Sequence, residues 1–209
     1  YSLTGEEKTE DIPARIVAAT GKMAEEMLKN VSGRIFCKVI ETLSRARRVD
    51  LYSVENSNVT AQDLLTKLLY LGLDCRHFDD GYHQRISAGN LEKGDAAVGI
   101  SYSGNSRDTV EAVKMAKRAG ASTIVITNFQ NSLITHYADF VLCTSQEQAF
   151  YGDAIFSRTT QLMLVDMIYM GLLASDFKRY IKSLNRNSRI VRYKEYPVQE
   201  RTDEKRKRV

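Results

Sequence analysis

A run of hydroxyls follows the small and apolar stretch Ala96-Ala97-Val98-Gly99-Ile100: Ser101, Ser103 and Ser106, with Tyr102, Gly104 and Asn105 between them and Arg107-Asp108-Thr109-Val110 after. Hydroxyls donate and accept hydrogen bonds without carrying charge, glycine permits turns that a Cβ hinders, and the first N–H groups of a helix lack intrahelical partners. A strand, a tight loop and a helix start in that order suit a phosphate monoester held reversibly at 101–106 without lysines. The spacing fits equally a capped turn that binds nothing, with Asn105 or Ser106 as the cap. It is neither a Walker loop, since no Gly-Lys-[Ser/Thr] follows, nor a dinucleotide fingerprint, since the three glycines are missing.

The elements that must position this loop are legible from hydrophobic periodicity. Short apolar runs at 49–54, 74–78, 96–100, 122–127 and 139–144 alternate with helical patterns at 60–71, 81–89 and 106–119. Strands joined by helical crossovers predict an α/β fold, a three-layer α/β/α sandwich on a five-stranded parallel sheet. The expected strand order is flavodoxin-like, 2-1-3-4-5, with extra N- and C-terminal helices. That order puts the switch point between the first and third strands, so 101–106 faces the first loop, Glu55-Asn56-Ser57-Asn58, where open sheets bind ligands.

Ahead of the sheet, Ile12, Ile16, Ala19, Met23, Met27 and Val31 recur at helical spacing, and Ile35, Phe36, Val39, Ile40 and Leu43 mark a second helix. These two helices can cover this chain or a partner. Behind the sheet, a polar connection at 145–152 precedes a helix expected over 153–174, apolar nearly all round and including Ile155 and Phe156, and a last helix over 177–193. A helix apolar on every side is buried in its own core or in a subunit interface, and a homodimer is a reasonable expectation.

Composition narrows the class. The 209 residues suffice for one sizeable α/β domain plus extensions. No apolar run approaches the roughly 20 residues of a membrane span, and no secretory signal opens the sequence. The first residue is Tyr1 rather than Met, so a fragment or a processed chain is expected. Three dispersed cysteines, Cys37, Cys75 and Cys143, indicate neither a disulfide framework nor a zinc site, which points to reduced thiols and a cytoplasmic protein. The net charge of +4 resides in the tail: residues 185–209 hold nine Lys and Arg against four Asp and Glu, leaving an essentially neutral body. The tail at 196–209 reads as solvated chain, 1–9 as a linker, 10–47 as the leading helices and 48–195 as the ligand-binding domain.

Ser-Tyr-Ser-Gly-Asn-Ser-Arg-Asp-Thr-Val at 101–110 resembles the sugar-phosphate signature of sugar isomerase (SIS) domains, as do Ile124-Val125-Ile126-Thr127-Asn128 and Tyr137-Ala138-Asp139-Phe140-Val141-Leu142. Val39-Ile40-Glu41-Thr42-Leu43-Ser44-Arg45-Ala46, Ser157-Arg158-Thr159-Thr160-Gln161-Leu162 and Val165-Asp166 are most similar to the effector domain of RpiR-type bacterial transcription regulators. The resemblance implies a phosphosugar-sensing domain that assembles as a homodimer or homotetramer and reaches DNA only through a separate N-terminal helix-turn-helix domain. It places the phosphate on Ser101, Ser103 and Ser106 with the backbone of Gly104 and Asn105, makes Ser57 the serine closing the first loop beside Asn56, and sets Glu147 near the sugar. No cofactor or metal is implied.

The first loop departs from the family pattern. Where Gly-x-Gly-x-Ser is usual, this chain has Ser53-Val54-Glu55-Asn56-Ser57, and an inward carboxylate at Glu55 would repel phosphate. Either the sugar preference is unusual or the domain is degenerate and serves only oligomerisation. The competing enzymatic reading is an aldose–ketose phosphate isomerase, with Glu147 as base and His77, His83 or His136 as acid.

Overall fold

Five short strands alternate in side-chain direction, and the three central ones bury both faces, which is why their sequences read as nearly continuous apolar runs. The computed structural model describes residues 5–145, 150–151, 154–155 and 157–192. Two leading helices, α1 (Ile12–Asn30) and α2 (Gly33–Arg45), precede β1 (Val49–Tyr52), α3 (Asn58–Tyr70), β2 (Cys75–Phe78), α4 (Gly81–Gly89), β3 (Ala96–Ile100), α5 (Arg107–Arg118), β4 (Ser122–Thr127) and β5 (Phe140–Cys143). A two-stranded antiparallel ribbon follows, β6 (Phe150–Tyr151) with β7 (Ala154–Ile155), and then α6 (Thr159–Ser175) and α7 (Phe177–Val191). Single 3-10 turns occupy Glu55–Ser57 and Leu133–Tyr137.

The sheet order is β2-β1-β3-β4-β5 and every pairing in it is parallel, as the alternating pattern predicts. Val49 and Leu51, Ala96, Val98 and Ile100, and Ile124 and Ile126 point to one face, where they meet Leu64 and Leu68 of α3, Val39 and Leu43 of α2, and Leu164, Val165 and Ile168 of α6. Tyr52 and Ala97 point to the other, against Ala88 of α4 and Ala112 and Ala116 of α5. Gly99 lets α5 lie close on that face, because a Cβ there would stand 2.4 Å from Val113 Cγ2.

The leading helices pack on this chain. Met27 of α1 and Val39, Ile40 and Leu43 of α2 belong to the main core together with Leu172 of α6 and Tyr180 of α7. At the other end of the molecule the structure departs from periodicity. The helix expected from 153 starts at Thr159, and Ile155 lies in β7, so the expected polar connection ends in a strand ribbon. Phe156 lies outside the described residues. Apolar residues in a strand ribbon and in a buried helix look alike in a short window, so periodicity could not separate them. Along α6 burial is broad, although Met170 is exposed. Cys75 and Cys143 are buried and Cys37 is exposed.

Three carboxylates tie strands to neighbouring elements. Asp50 receives both arms of Arg76, at 2.9 and 2.7 Å, and Asp95 both arms of Arg47, at 3.0 and 3.1 Å, while Asp139 accepts from Lys117 and from the backbone N–H of Thr123. Burial opposes ionisation of Asp95 and Asp139, but hydrogen bonds and charge from Arg47 at one and Lys117 at the other outweigh it and hold both carboxyls below the usual range. A carboxyl whose folded pKa is depressed stabilises the fold fully above its unfolded pKa, and that contribution disappears as pH falls through the folded value. The urea midpoint is therefore expected to hold steady down to about pH 5 and to fall between about pH 4 and pH 2. Asp95→Asn combined with Asp139→Asn should lower the neutral-pH midpoint and flatten that acid limb, as equilibrium denaturation across pH would show.

Candidate functional site

The two loops at the switch point leave adjacent parallel strands, β1 and β3, and turn to opposite faces, one into α3 and the other into α5. The loop 101–106 is built from its own hydroxyls. Ser101 Oγ donates to Ser106 Oγ at 3.1 Å and accepts from the backbone N–H of Gly104 at 3.1 Å, while Ser103 Oγ accepts from the N–H of Asn105 at 3.2 Å. Ser101 and Gly104 are buried, Ser106 is half-buried, and Ser103 and Asn105 are exposed. Gly104 has φ +66°, and a Cβ on it would fall 2.0 Å from Ser132 Oγ, so only glycine fits the turn.

Ser106 occupies the N-cap position of α5 with extended backbone, yet its hydroxyl makes no capping bond. Asn105, the other expected cap, turns its Oδ1 to the N–H of Leu133 at 3.2 Å and so fastens the loop to the 3-10 turn beyond β4. The first-turn N–H groups of α5 therefore carry no side-chain cap. They aim the positive end of the helix dipole, together with the hydroxyls of Ser101, Ser103 and Ser106, at the end of the sheet.

The first loop explains its missing glycines. Glu55, at the second glycine position of the pattern, adopts φ +49°, the one described residue other than glycine with positive φ. The backbone thus keeps the left-handed conformation that glycine adopts freely, and does so under strain. Its side chain is exposed rather than directed into the core. Ser53, at the first glycine position, is buried and uses its hydroxyl in a chain of bonds: His77 Nε2 lies 2.7 Å from Ser53 Oγ, which donates to Asn58 Oδ1 at 2.6 Å. Gln62 Nε2 donates to His77 Nδ1 at 2.9 Å, which assigns the ring proton to Nε2. Burial lowers the His77 pKa, partly opposed by Asp79, so the ring stays neutral near pH 7. Because a β-carbon in left-handed backbone costs about 1 kcal/mol more than glycine, Glu55→Gly is expected to be more stable than Glu55→Ala by about that amount in denaturant titrations.

Ser57 is buried and its hydroxyl makes no hydrogen bond among the described residues, whereas Asn56 is exposed and gives its carbonyl to Arg158 Nε at 2.7 Å. Glu147 lies outside the described residues. Of the three histidines, His77 has both ring nitrogens engaged, and His83 and His136 are exposed. Neither the periodicity nor the motif singled out Asn128 or Gln161 as organisers of this edge. Both are buried in a chain running from Thr60 Oγ1 to Gln161 Oε1 at 3.0 Å, from Gln161 Nε2 to Asn128 Oδ1 at 3.1 Å, and from Asn128 Nδ2 to the carbonyl of Ser145. That chain joins α3, α6, β4 and the end of β5 beneath the two loops. A polar residue inside an otherwise apolar helix pattern was its only trace in the sequence.

Residues 42–171 match the model of the SIS domain family. The chain belongs to the SIS domain family. Among curated relatives, an uncharacterized HTH-type transcriptional regulator from Caldanaerobacter subterraneus is 31% identical over 190 residues, covering 90% of this chain and 67% of that protein. The HTH-type transcriptional regulator RpiR of Escherichia coli is 30% identical over 148 residues, covering 70% of this chain and 50% of its own length. The chain thus spans about half to two thirds of the length of these relatives. In solved structures, the NanR protein of Vibrio vulnificus complexed with ManNAc-6P has the same fold at TM-score 0.84 and 20% identity, covering 90% of this chain and 72% of that one. The sugar isomerase domain of an RpiR transcription factor from Sphaerobacter thermophilus gives 0.79 at 22% identity, covering 86% of this chain and 99% of that one. Both the loop 101–106 and the first loop, with its left-handed turn at Glu55, lie within the matched residues.

Proposed function

We propose that this chain is the phosphosugar-sensing and oligomer-forming domain of a bacterial transcription regulator, with DNA contacted by a helix-turn-helix domain outside this sequence. The observation that carries the reading is the uncapped start of α5 beside three serine hydroxyls. A phosphate monoester completes that helix end, with Ser101, Ser103 and Ser106 as hydroxyl donors and the N–H groups of Gly104 and Asn105 exchanged from their internal acceptors, while Ser57 meets the sugar from the first loop. Relatives named as HTH-type regulators, and the complex of the Vibrio vulnificus protein with ManNAc-6P, support the assignment to sensing. Exposed Val17 and Leu28 on α1 and Met170 on α6 support a homodimer or homotetramer through the helical face. In this reading 10–47 covers the sheet domain, 48–195 binds the ligand, and 1–9 and 196–209 are connecting and basic terminal segments. Among the described residues no helix is long and apolar enough to cross a membrane, and relatives named as transcriptional regulators support a cytoplasmic protein.

Sensing is favoured over isomerisation because His77 is neutral and occupied at both nitrogens, and His83 and His136 stand in solvent. The test is a thermal-shift screen of phosphosugars followed by NMR in deuterated water. A stabilising phosphosugar that keeps its C2 proton is expected. Exchange at C2 would establish the isomerase, and no stabilisation by any phosphosugar would leave a domain that only oligomerises.

A further inference from the structure

Arg158 stands just ahead of α6, and its Nε donates to the carbonyl of Asn56, 102 positions away in the sequence, at 2.7 Å. That bond holds the guanidinium at the first loop. Its Nη2 is screened from solvent and has no hydrogen-bond partner, and no carboxylate among the described residues pairs with it. Guanidinium remains charged at any physiological pH, so a screened and unfilled arm is unfavourable until an acceptor arrives. Two other arginines show what a filled fork takes, Arg76 on Asp50 and Arg47 on Asp95, each through two nitrogens, whereas Arg179, anchored like Arg158 on a backbone carbonyl, has no buried empty nitrogen among the described residues. Arg158 is held with half the fork empty. Glu55, one residue from its anchor, is exposed and does not pair with it.

The topology says which end of a ligand Arg158 meets. The phosphate loop leads into α5 on one face of the sheet, whereas Asn56, Ser57 and α6 belong to the opposite face, across the crevice between β1 and β3. A ligand whose phosphate lies on Ser101, Ser103 and Ser106 therefore presents its far end to Ser57 and Arg158.

We propose that Arg158 binds a carboxylate at the end of the ligand remote from the phosphate, so that the effector class is phosphorylated sugar acids. This rests on the phosphosugar reading of the loop 101–106. The guanidinium supplies the cation that the serine loop lacks, and a neutral sugar end leaves it without a counter-charge.

The test uses matched pairs of probes that differ only at that end, such as 6-phosphogluconate against glucose 6-phosphate and the corresponding five-carbon pair, titrated calorimetrically into the unaltered protein, Arg158→Met and Arg158→Lys. At least one acid should bind about tenfold or more tightly than its neutral partner, and Arg158→Met should erase that advantage while leaving the neutral partner unchanged. Neutral partners that bind as tightly as the acids overturn the proposal. So does equal loss of both classes in Arg158→Met, which would place the guanidinium on the phosphate. The unliganded thermal midpoints separate this idea from the phosphosugar reading. An unpaired guanidinium predicts that Arg158→Met is as stable as the unaltered protein or more so, whatever the ligand. A clear drop would make Arg158 a structural tie to Asn56 and end the proposal. Failure of every phosphorylated probe with no such drop would overturn the phosphosugar reading instead.

Discussion

Gly104→Ala is expected to destabilise the domain by about 3 kcal/mol, the sum of a steric and a backbone penalty. The added carbon would fall 2.0 Å from Ser132 Oγ, 2.4 Å from Ser132 Cβ and 3.1 Å from Thr127 Oγ1, and the φ of +66° is one that alanine adopts with strain. The loop cannot move aside cheaply, because the N–H of Ile134 donates to the Gly104 carbonyl at 2.9 Å and the N–H of Leu133 to Asn105 Oδ1. Combining Gly104→Ala with Ser132→Gly should recover the steric part and leave the backbone part. Chemical denaturation of the single and double variants measures both. A loss below about 0.5 kcal/mol in the single variant would mean that the turn is not held as described.

Removing the exposed hydroxyls should abolish the response to ligand. At free phosphosugar near 100 times its Kd the unaltered domain gains about 2.7 kcal/mol, because ligand binds the folded state alone. Ser103→Ala combined with Ser106→Ala is expected to erase nearly all of that gain at the same concentration. The choice of residues matters. Ser101 Oγ both donates to Ser106 and accepts from the Gly104 N–H in a buried position, so Ser101→Ala should also cost about 1 kcal/mol without ligand. Ser103 is exposed and neither hydroxyl caps α5, but Ser106→Ala takes the acceptor from buried Ser101 Oγ, so the double variant is expected to lose about 1 kcal/mol without ligand and its binding is read from the ligand-induced shift alone. An undiminished shift in the double variant would move the phosphate to another part of the molecule.

Glu55 illustrates how substitution can preserve a loop while altering its chemistry. The left-handed φ survives the loss of glycine, which keeps Ser57 at the head of α3, but the position now carries a charged side chain in solvent. Ser53 converts the other glycine position into a buried hydroxyl that immobilises His77. With Gln62 on the other side, both ring nitrogens of His77 are occupied.

Strands, crossover helices and the serine loop are legible in the order of residues because they depend on local periodicity: side chains alternate along a strand, repeat near 3.6 along a helix, and give way to hydroxyls and glycine at the turn. With right-handed crossovers, that pattern left few orders for the sheet, and β2-β1-β3-β4-β5 is the one found. What each polar group does at the carboxyl edge follows from the folded arrangement. Asn105 serves Leu133 instead of capping α5, His77 is spent on Ser53 and Gln62, and Arg158 reaches Asn56 with one arm unfilled. These bonds join residues from 15 to 102 positions apart. Hydrogen bonding at such separations depends on how the crossovers bring loop ends together, and leaves no period in the sequence from which to read it.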